Sequence, residues 1–398
     1  MLTLMKILFY RYGSICEPDM ILAFGKLGLE VLELRADSTA SPSGSTADLD
    51  RLVSLFTKER FLFVFTVNFF PPVSEVCNIY RILYVCWTVD SPVPELFSPA
   101  LSNTCNRIFY FDRAQYRYFS AFNPSCSFHL PLATNPKRWN RVISGAAASD
   151  RRSFSSDISF VGSLYSEKNP YRLIKDIPAY AEGYIRAVEE AQLLLYGVNF
   201  VEDMLNENIM DMFLPLVPDL HTPLCENSPA AARYVLANSF IGCDIASIER
   251  TRILTALAAH FDVDLYTASD TSELSGVHVH KPVASLTEMP LVFNGSRINL
   301  NITLRSIQSG LSLRNFDICG CGGFLMTNYQ EELPELYEPG VEAEYFSSTE
   351  ELLDKCAYYL DHEEDRAAIA KRGYERTVSS HSYDIRIAEM IRLINSTI

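Results

Sequence analysis

Along the first third of the chain, short β-branched and aromatic runs alternate with stretches whose apolar residues recur at helical spacing. Lys6–Tyr10, Val31–Leu34, Phe61–Val67, Ile82–Trp87, Arg107–Phe111 and Ser127–Leu130 read as strands. Asp19–Leu27, closed by Gly28, reads as a helix with a glycine stop, and Leu49–Phe56 and Arg113–Phe119 follow as helices. Such alternation predicts right-handed crossovers and a parallel sheet covered on both faces. The loops that carry function then leave the carboxyl ends of the strands. They contain Gly13, Asn68, Asp90 and His129. Asp90 suits a general base or a ligand of sugar hydroxyls, although Asp-Ser-Pro is also good turn chemistry. His129 fits either a cleft or an apolar core. No G-x-G-x-x-G follows the first strand, which argues against a nicotinamide or flavin site there.

The pattern resumes beyond residue 150. Asp157–Gly162 (DISFVG) reads as a strand, and Ser239–Gly242 (SFIG) echoes its SFVG, leaving open which of the two begins a second sheet. Between them lies a helical stretch, about 171–236, punctuated by Pro170, Pro215, Pro218 and Pro223. A helix over Ile248–Phe261, strands at Asp264–Thr267 and Val277–His280, a helix near Leu286–Phe293 and a strand Arg297–Ile302 complete a second α/β alternation. Glu350–Tyr359, Glu363–Gly373 and Asp384–Ile394 read as closing helices.

Length and charge sharpen this picture. At 398 residues two domains are expected. Residues 1–150 hold 14 Lys+Arg and 13 Asp+Glu, whereas the remainder holds 20 and 36, so the first part is near neutral and the second carries all of the net charge of −15. We place the domains at 1–150 and 151–383, with the join within Thr134–Ser156. The acidic balance excludes a general nucleic-acid binder. Ten cysteines without a CxxC pair suit a reducing cytoplasm. The longest apolar stretch, Phe61–Phe70, is too short to span a bilayer, and the first residues lack the pattern of a signal peptide. Asp262-Val-Asp264 has D-x-D spacing and His278 and His280 alternate on a strand, but neither comes with the further ligands that a metal centre needs, and no metal is expected.

The sharpest local feature is Met289–Phe316, 28 residues with Arg297, Arg305 and Arg314 and no acid at all. Guanidinium forks suit a diphosphate. The small-residue turn Gln308–Ser312 follows, with Ser312 as the expected N-cap of a helix through Ile318 whose amino end would favour an anion. Asp317 would accept the vicinal hydroxyls of a ribose, or merely pair with Arg314 one turn back.

These residues carry a resemblance. SLRNFDICGCGGFLMTNYQEELPELY (312–337), VEAEYFSSTEELLDKCAYYLDHEEDRAAIAKRG (341–373) and HSYDIR (381–386) resemble the group-1-like glycosyltransferase domain of CgeB-type proteins, which has the GT-B fold. CWTVDSP (86–92), FYFDRAQ (109–115) and HLPLATNP (129–136) are similar to the domain of unknown function that often precedes it. The resemblance implies two Rossmann-like α/β domains facing each other across a cleft, with a helical insertion in the second and the terminal helix packed back on the first. It implies a metal-independent glycosyltransferase, with a retaining outcome favoured, that uses a UDP-, GDP- or dTDP-sugar as substrate and no separate cofactor. Laid on Ser309–Asp317, the family's E-x7-E motif keeps Gly310 beneath the phosphate and Asp317 on the ribose, but replaces the first acid by Ser309. Arg250, with Lys168 as second candidate, would steady the diphosphate, together with Arg297, Arg305, Ser312 and the catalytic Arg314. The nucleobase would lie by Lys281 and Val283. Gly13, Asn68 and His129 would line the acceptor side, where Asp90 is the catalytic candidate. The acceptor would be a glycan, a protein or a cell-surface polymer, and the insertion would suit acceptor binding or oligomerisation. The loss of the first acid leaves a rival reading, a catalytically inactive binding or assembly protein.

Overall fold

The computed structural model of the protein describes residues 5–37, 46–217, 220 and 228–397. The chain divides into two compact units, Met1–Leu132 with His221–Ala232 and Tyr383–Ile398, and Ala133–Leu220 with Arg233–Ser382. The division falls at Leu132/Ala133 and not near residue 150. Residues beyond it belong with the second unit because Thr134 bridges to Ser382 and the helix Pro136–Gly145 packs on Met289–Gly295.

In the first unit six strands form one parallel sheet: β1 (Lys6–Arg11), β2 (Glu30–Arg35), β3 (Phe63–Val67), β4 (Leu83–Trp87), β5 (Asn106–Tyr110) and β6 (Ser127–His129), in the order β2-β1-β3-β4-β5-β6. Every residue of β3 and β5 is buried, as strands covered on both faces require, whereas the edge strand β2 carries Glu30, Glu33 and Arg35 outward. Four helices cover the sheet: α1 (Glu17–Lys26), α2 (Thr46–Lys58), α3 (Pro71–Tyr80) and α4 (Arg113–Phe119). The pair Pro71-Pro72 reads as a loop in sequence. In fact it opens α3, since proline lacks the N–H that is unpaired in a first helical turn anyway. The terminal helix Tyr383–Asn395 packs on α1, with Lys26 on Asp384 at 2.8 Å and Tyr383 edge-on to Trp87.

The second unit has its own parallel sheet of β7 (Ser156–Val161), β8 (Val263–Tyr266), β9 (His278–His280), β10 (Ser296–Asn301), β11 (Leu325–Asn328) and β12 (Glu344–Phe346), ordered β12-β11-β10-β7-β8-β9. Ile158, Leu265, Leu300 and Met326 of these strands form its core with Leu254, Leu257 and Leu352. β7 is therefore the SFVG strand. The SFIG echo is helical instead: Leu236–Ile241 is a π-helical turn that continues into the helix Gly242–Ala258. The Asn238 side chain donates to the carbonyl of Tyr234 one turn back and accepts from Asn199 at 3.2 Å. The intervening helices are Ala179–Leu193, Val201–Met204, Glu207–Phe213 and Pro229–Val235; Pro218 and Pro223 lie outside the described residues.

Candidate functional site

A sheet in which successive connections run to opposite sides opens a crevice at the carboxyl ends of the strands where the order reverses. In the second unit that point lies between β7 and β10. The loop 302–312 leaves β10 there and leads into the helix Leu313–Gly320. It is pinned along its length. The backbone N–H of Thr303 donates to Asn328 at 2.7 Å, Gln330 donates to the carbonyl of Ile307 at 3.1 Å, and Ser309 Oγ donates to Glu332 at 2.8 Å.

Two guanidiniums stand at this edge. Arg250, buried on the helix Gly242–Ala258, donates from Nη1 to the carbonyl of Ser163 at 2.6 Å, just past β7, and from Nη2 to that of Ile302, just past β10. It therefore spans the switch point, with the ring of Tyr165 4.9 Å away and Nε buried without a partner. Arg314, in the first turn of the next helix, lies over the Phe293 ring and donates to Met289 Sδ. Among the described residues neither has an ion pair with a carboxylate. Burial weighs against the charge of both; for Arg314, Asp317 offsets part of this and the repulsion of Arg250 adds to it. Arginine does not shed its proton at such a cost, so two neighbouring cations, Arg250 buried and Arg314 half-buried, call for an anion.

The other residues singled out in the sequence fare differently. Arg297 does not reach this edge: it lies at the amino end of β10, paired with Asp157 at 3.1 Å, whereas the edge is at the strand's carboxyl end, beyond Asn301. Nor is Arg305 a phosphate ligand. Its Nη2 is held by Glu249 at 2.7 Å, its Nη1 by the carbonyl of Leu195 and its face by the Tyr196 ring. Ser312 occupies the N-cap position, yet its Oγ accepts from Asn315 Nδ2 at 3.1 Å and caps no backbone N–H. Asp317 does not pair with Arg314; its Oδ1 accepts from Thr134 at 2.6 Å, and Trp139 donates to the same hydroxyl. Ser309 and Gly310 are buried in the pinned loop, and Lys281 and Val283 follow the edge strand β9 on the same side of the sheet. Lys168 is exposed. The sequence does not single out Tyr165, Glu249 or Glu332, although Glu249 adjoins Arg250 and Glu332 lies within the 312–337 block that carries the resemblance.

In the first unit the order reverses between β1 and β3. There Gly13 adopts φ +102°, and its N–H and that of Tyr12 donate to the buried carboxylate of Glu17 at 3.0 and 2.9 Å. Gly13 thus supplies a turn and no free donor to a cavity of about 230 Å³ lined also by Arg11, Arg35 and Ala36. Asn68, past β3, meets Asp90, past β4, with Nδ2 on Oδ2 at 2.6 Å. Asp90 is reached by water, yet protein crowds it enough to raise its carboxyl above the ordinary range, with Asn68 pulling the other way. Glu95, also missed in the sequence, is raised by burial, with a smaller contribution from Asp90. His129 ends the edge strand β6 beside Tyr116, two strands removed from Asp90. On β8, Asp264 takes His280 as its partner. Among the described residues no three His, Cys, Asp or Glu side chains gather in a metal-holding group. No helix among them is long and apolar enough to cross a membrane.

Residues 250–392 match the family described as glycosyl transferase-like. The matched stretch takes in Arg250, Arg305, Arg314 and Asp317. Solved structures add the fold of the whole chain. The chain is similar to Alr3699/HepE from Anabaena in complex with UDP and glucose, with a TM-score of 0.55, 11% identity and coverage of 98% of this chain and 100% of that one. A glycosyltransferase from Rickettsia africae gives 0.57 at 8% identity, covering 99% of each. Sucrose-phosphate synthase from Thermosynechococcus elongatus gives 0.57 at 9%, covering 99% and 100%. No curated protein sequence matches the chain. The fold is GT-B, as expected, and the expectation of a glycosyltransferase is borne out by the family match and the fold together. They do not favour a non-catalytic assembly protein.

Proposed function

We propose that the protein moves a sugar from a nucleoside-diphosphate donor to a hydroxyl of an acceptor without a metal ion, in the cytoplasm. The observation that carries this is the pair Arg250 and Arg314, one guanidinium buried and one half-buried, without a carboxylate partner among the described residues at the switch point of the second sheet. A uracil base is favoured over guanine or thymine because the similar Anabaena protein is complexed with UDP. As the bond between the anomeric carbon and the phosphate oxygen breaks, its electron pair leaves on the diphosphate. Charge grows where the guanidiniums and the amino end of Leu313–Gly320 stand. They would do the work that a divalent ion does elsewhere. Asp317, steadied by Thr134, would take the ribose hydroxyls. The acceptor oxygen forms the new bond to the anomeric carbon, and its proton passes to Asp90. Free thiols at all nine described cysteines suit a reducing compartment. The resemblance favours a retaining course, which the anomeric configuration of the product decides by proton NMR.

Calorimetric titration with UDP tests the reading. Loss of one charge-assisted contact costs about 1.5–3 kcal/mol, so Arg314→Ala and Arg250→Ala should each weaken UDP by roughly 10- to 150-fold. Unchanged affinity in both would refute it.

A further inference from the structure

Asn68 sits where three loops of the first sheet meet, after β1, β3 and β4, and its contacts go well beyond the needs of a turn. Its φ is +58°, in the left-handed region where glycine is the easy choice and any other residue costs free energy. The backbone is held from both sides: its N–H donates to the carbonyl of Trp87 at 2.9 Å, and its carbonyl accepts from Thr66 Oγ1 at 2.6 Å. Glycine would make both of those bonds. What glycine lacks is the amide. Oδ1 accepts from the backbone N–H of Val89 at 2.9 Å and of Asp90 at 3.3 Å, while Nδ2 donates to Asp90 Oδ2 at 2.6 Å and to the Tyr12 hydroxyl at 3.2 Å. The side chain grips both the backbone and the carboxylate of one residue, Asp90.

We propose that Asn68 is the positioning residue of the transfer, holding one oxygen of Asp90 so that the other is presented to the acceptor hydroxyl. This rests on the reading of Asp90 as the base. A carboxylate that must take a proton in one geometry loses rate when it swings among rotamers. Oδ2 is engaged by Asn68, which leaves Oδ1 for the acceptor. Asn68 is also the only side chain that donates to this carboxylate among the described residues; the other titratable groups acting around it are Tyr12 from the loop after β1 and Glu95 from the short turn Pro94–Phe97. Neither of those supplies a cation, so without Asn68 the carboxylate stays crowded by protein and loses the contact that holds its charge.

Asn68→Gly suits the left-handed backbone and removes only the amide, so the fold should be retained. The titration midpoint of the Asp90 carboxyl, followed by ¹³C NMR and assigned with Asp90→Asn, should rise by about one unit in that variant. With UDP-glucose as the probe, the acid limb of the pH profile for UDP release should move to higher pH by the same amount. An unmoved Asp90 midpoint overturns the positioning role, and it does so without any turnover. A moved midpoint combined with wild-type UDP release by Asp90→Asn would instead overturn the role of Asp90 as base, so the two failures are told apart.

Discussion

Arg305 and Glu249 are buried together, Nη2 to Oε1 at 2.7 Å, with the Leu195 carbonyl and the Tyr196 ring completing the shell around the guanidinium. Removing one member of such a pair strands the other charge in the interior, at about 3–5 kcal/mol. Arg305→Met should therefore lower stability in urea by that amount, and adding Glu249→Leu should restore much of it. Additive losses in the double variant would contradict the pairing. The same comparison separates Arg305 from Arg250 and Arg314, whose loss should be felt by UDP more than by the fold. In the sequence the three arginines of the acid-free window look alike. Their partners Asp157 and Glu249 come from outside the window, and a window of sequence does not contain its spatial neighbours. The Ser309 departure changes in the same way. The acid expected there is missing along the chain, yet the Glu332 carboxylate lies 2.8 Å from Ser309 Oγ.

At the scale of elements, the insertion joins the second unit through a buried acid pair. Glu189, on Ala179–Leu193, is 1% exposed, and burial, reinforced by Asp244 of the helix Gly242–Ala258, pushes its carboxyl up to about 8. Arg186 approaches Glu189 at 3.6 Å, and Asn169 and Arg172 hold Asp244. The native state therefore binds the Glu189 proton more tightly than the unfolded chain does, whose value is about 4.3. The stabilisation is complete at low pH, declines as pH rises between the two values and is gone above about 8. Glu189→Gln should flatten that decline when urea stability is measured at pH 6 and pH 9; an unchanged slope would sink the assignment. Packing is as exacting at Gly373. A methyl group there would lie 2.3 Å from the Glu342 carbonyl, so Gly373→Ala, normally helpful inside a helix, should destabilise by about 1–3 kcal/mol. A gain in Tm would show that the helix yields. Periodicity read the long helices and the central strands correctly, but it left open whether SFVG or SFIG begins the second sheet. Four apolar and small residues suit both periods, and helical context decided between them.

For the whole molecule, the terminal helix buries Ile387, Met390 and Ile394 against the first unit, and Arg107 donates to Thr397 at 2.6 Å. Loss of several buried aliphatic side chains costs about 2–5 kcal/mol each, enough to exhaust the stability of a typical domain. Deletion of 383–398 should leave residues 1–132 open to trypsin while fragments of 133–382 resist; equal resistance of both would contradict this dependence. Taken by itself, the sequence determined the α/β alternation and the existence of two sheets, and it pointed to the neighbourhood of the candidate donor site, because local periodicity and turn chemistry are written in consecutive residues. It also placed Asp90, Asn68, Arg250 and Arg314 among its candidates. Which arginines stay without a carboxylate, where one unit gives way to the next, and which amide holds Asp90 were decided by tertiary structure alone. Each depends on partners far apart in the chain, such as Asn68 and Asp90, Glu249 and Arg305, or Thr134 and Ser382, and the distance between such residues is set only when the sheets form. Net charge is the plainest case. The excess of −15 belongs to the chain as a whole, while the cationic edge exists only because folding gathers Arg250 and Arg314 and gives the acids other partners.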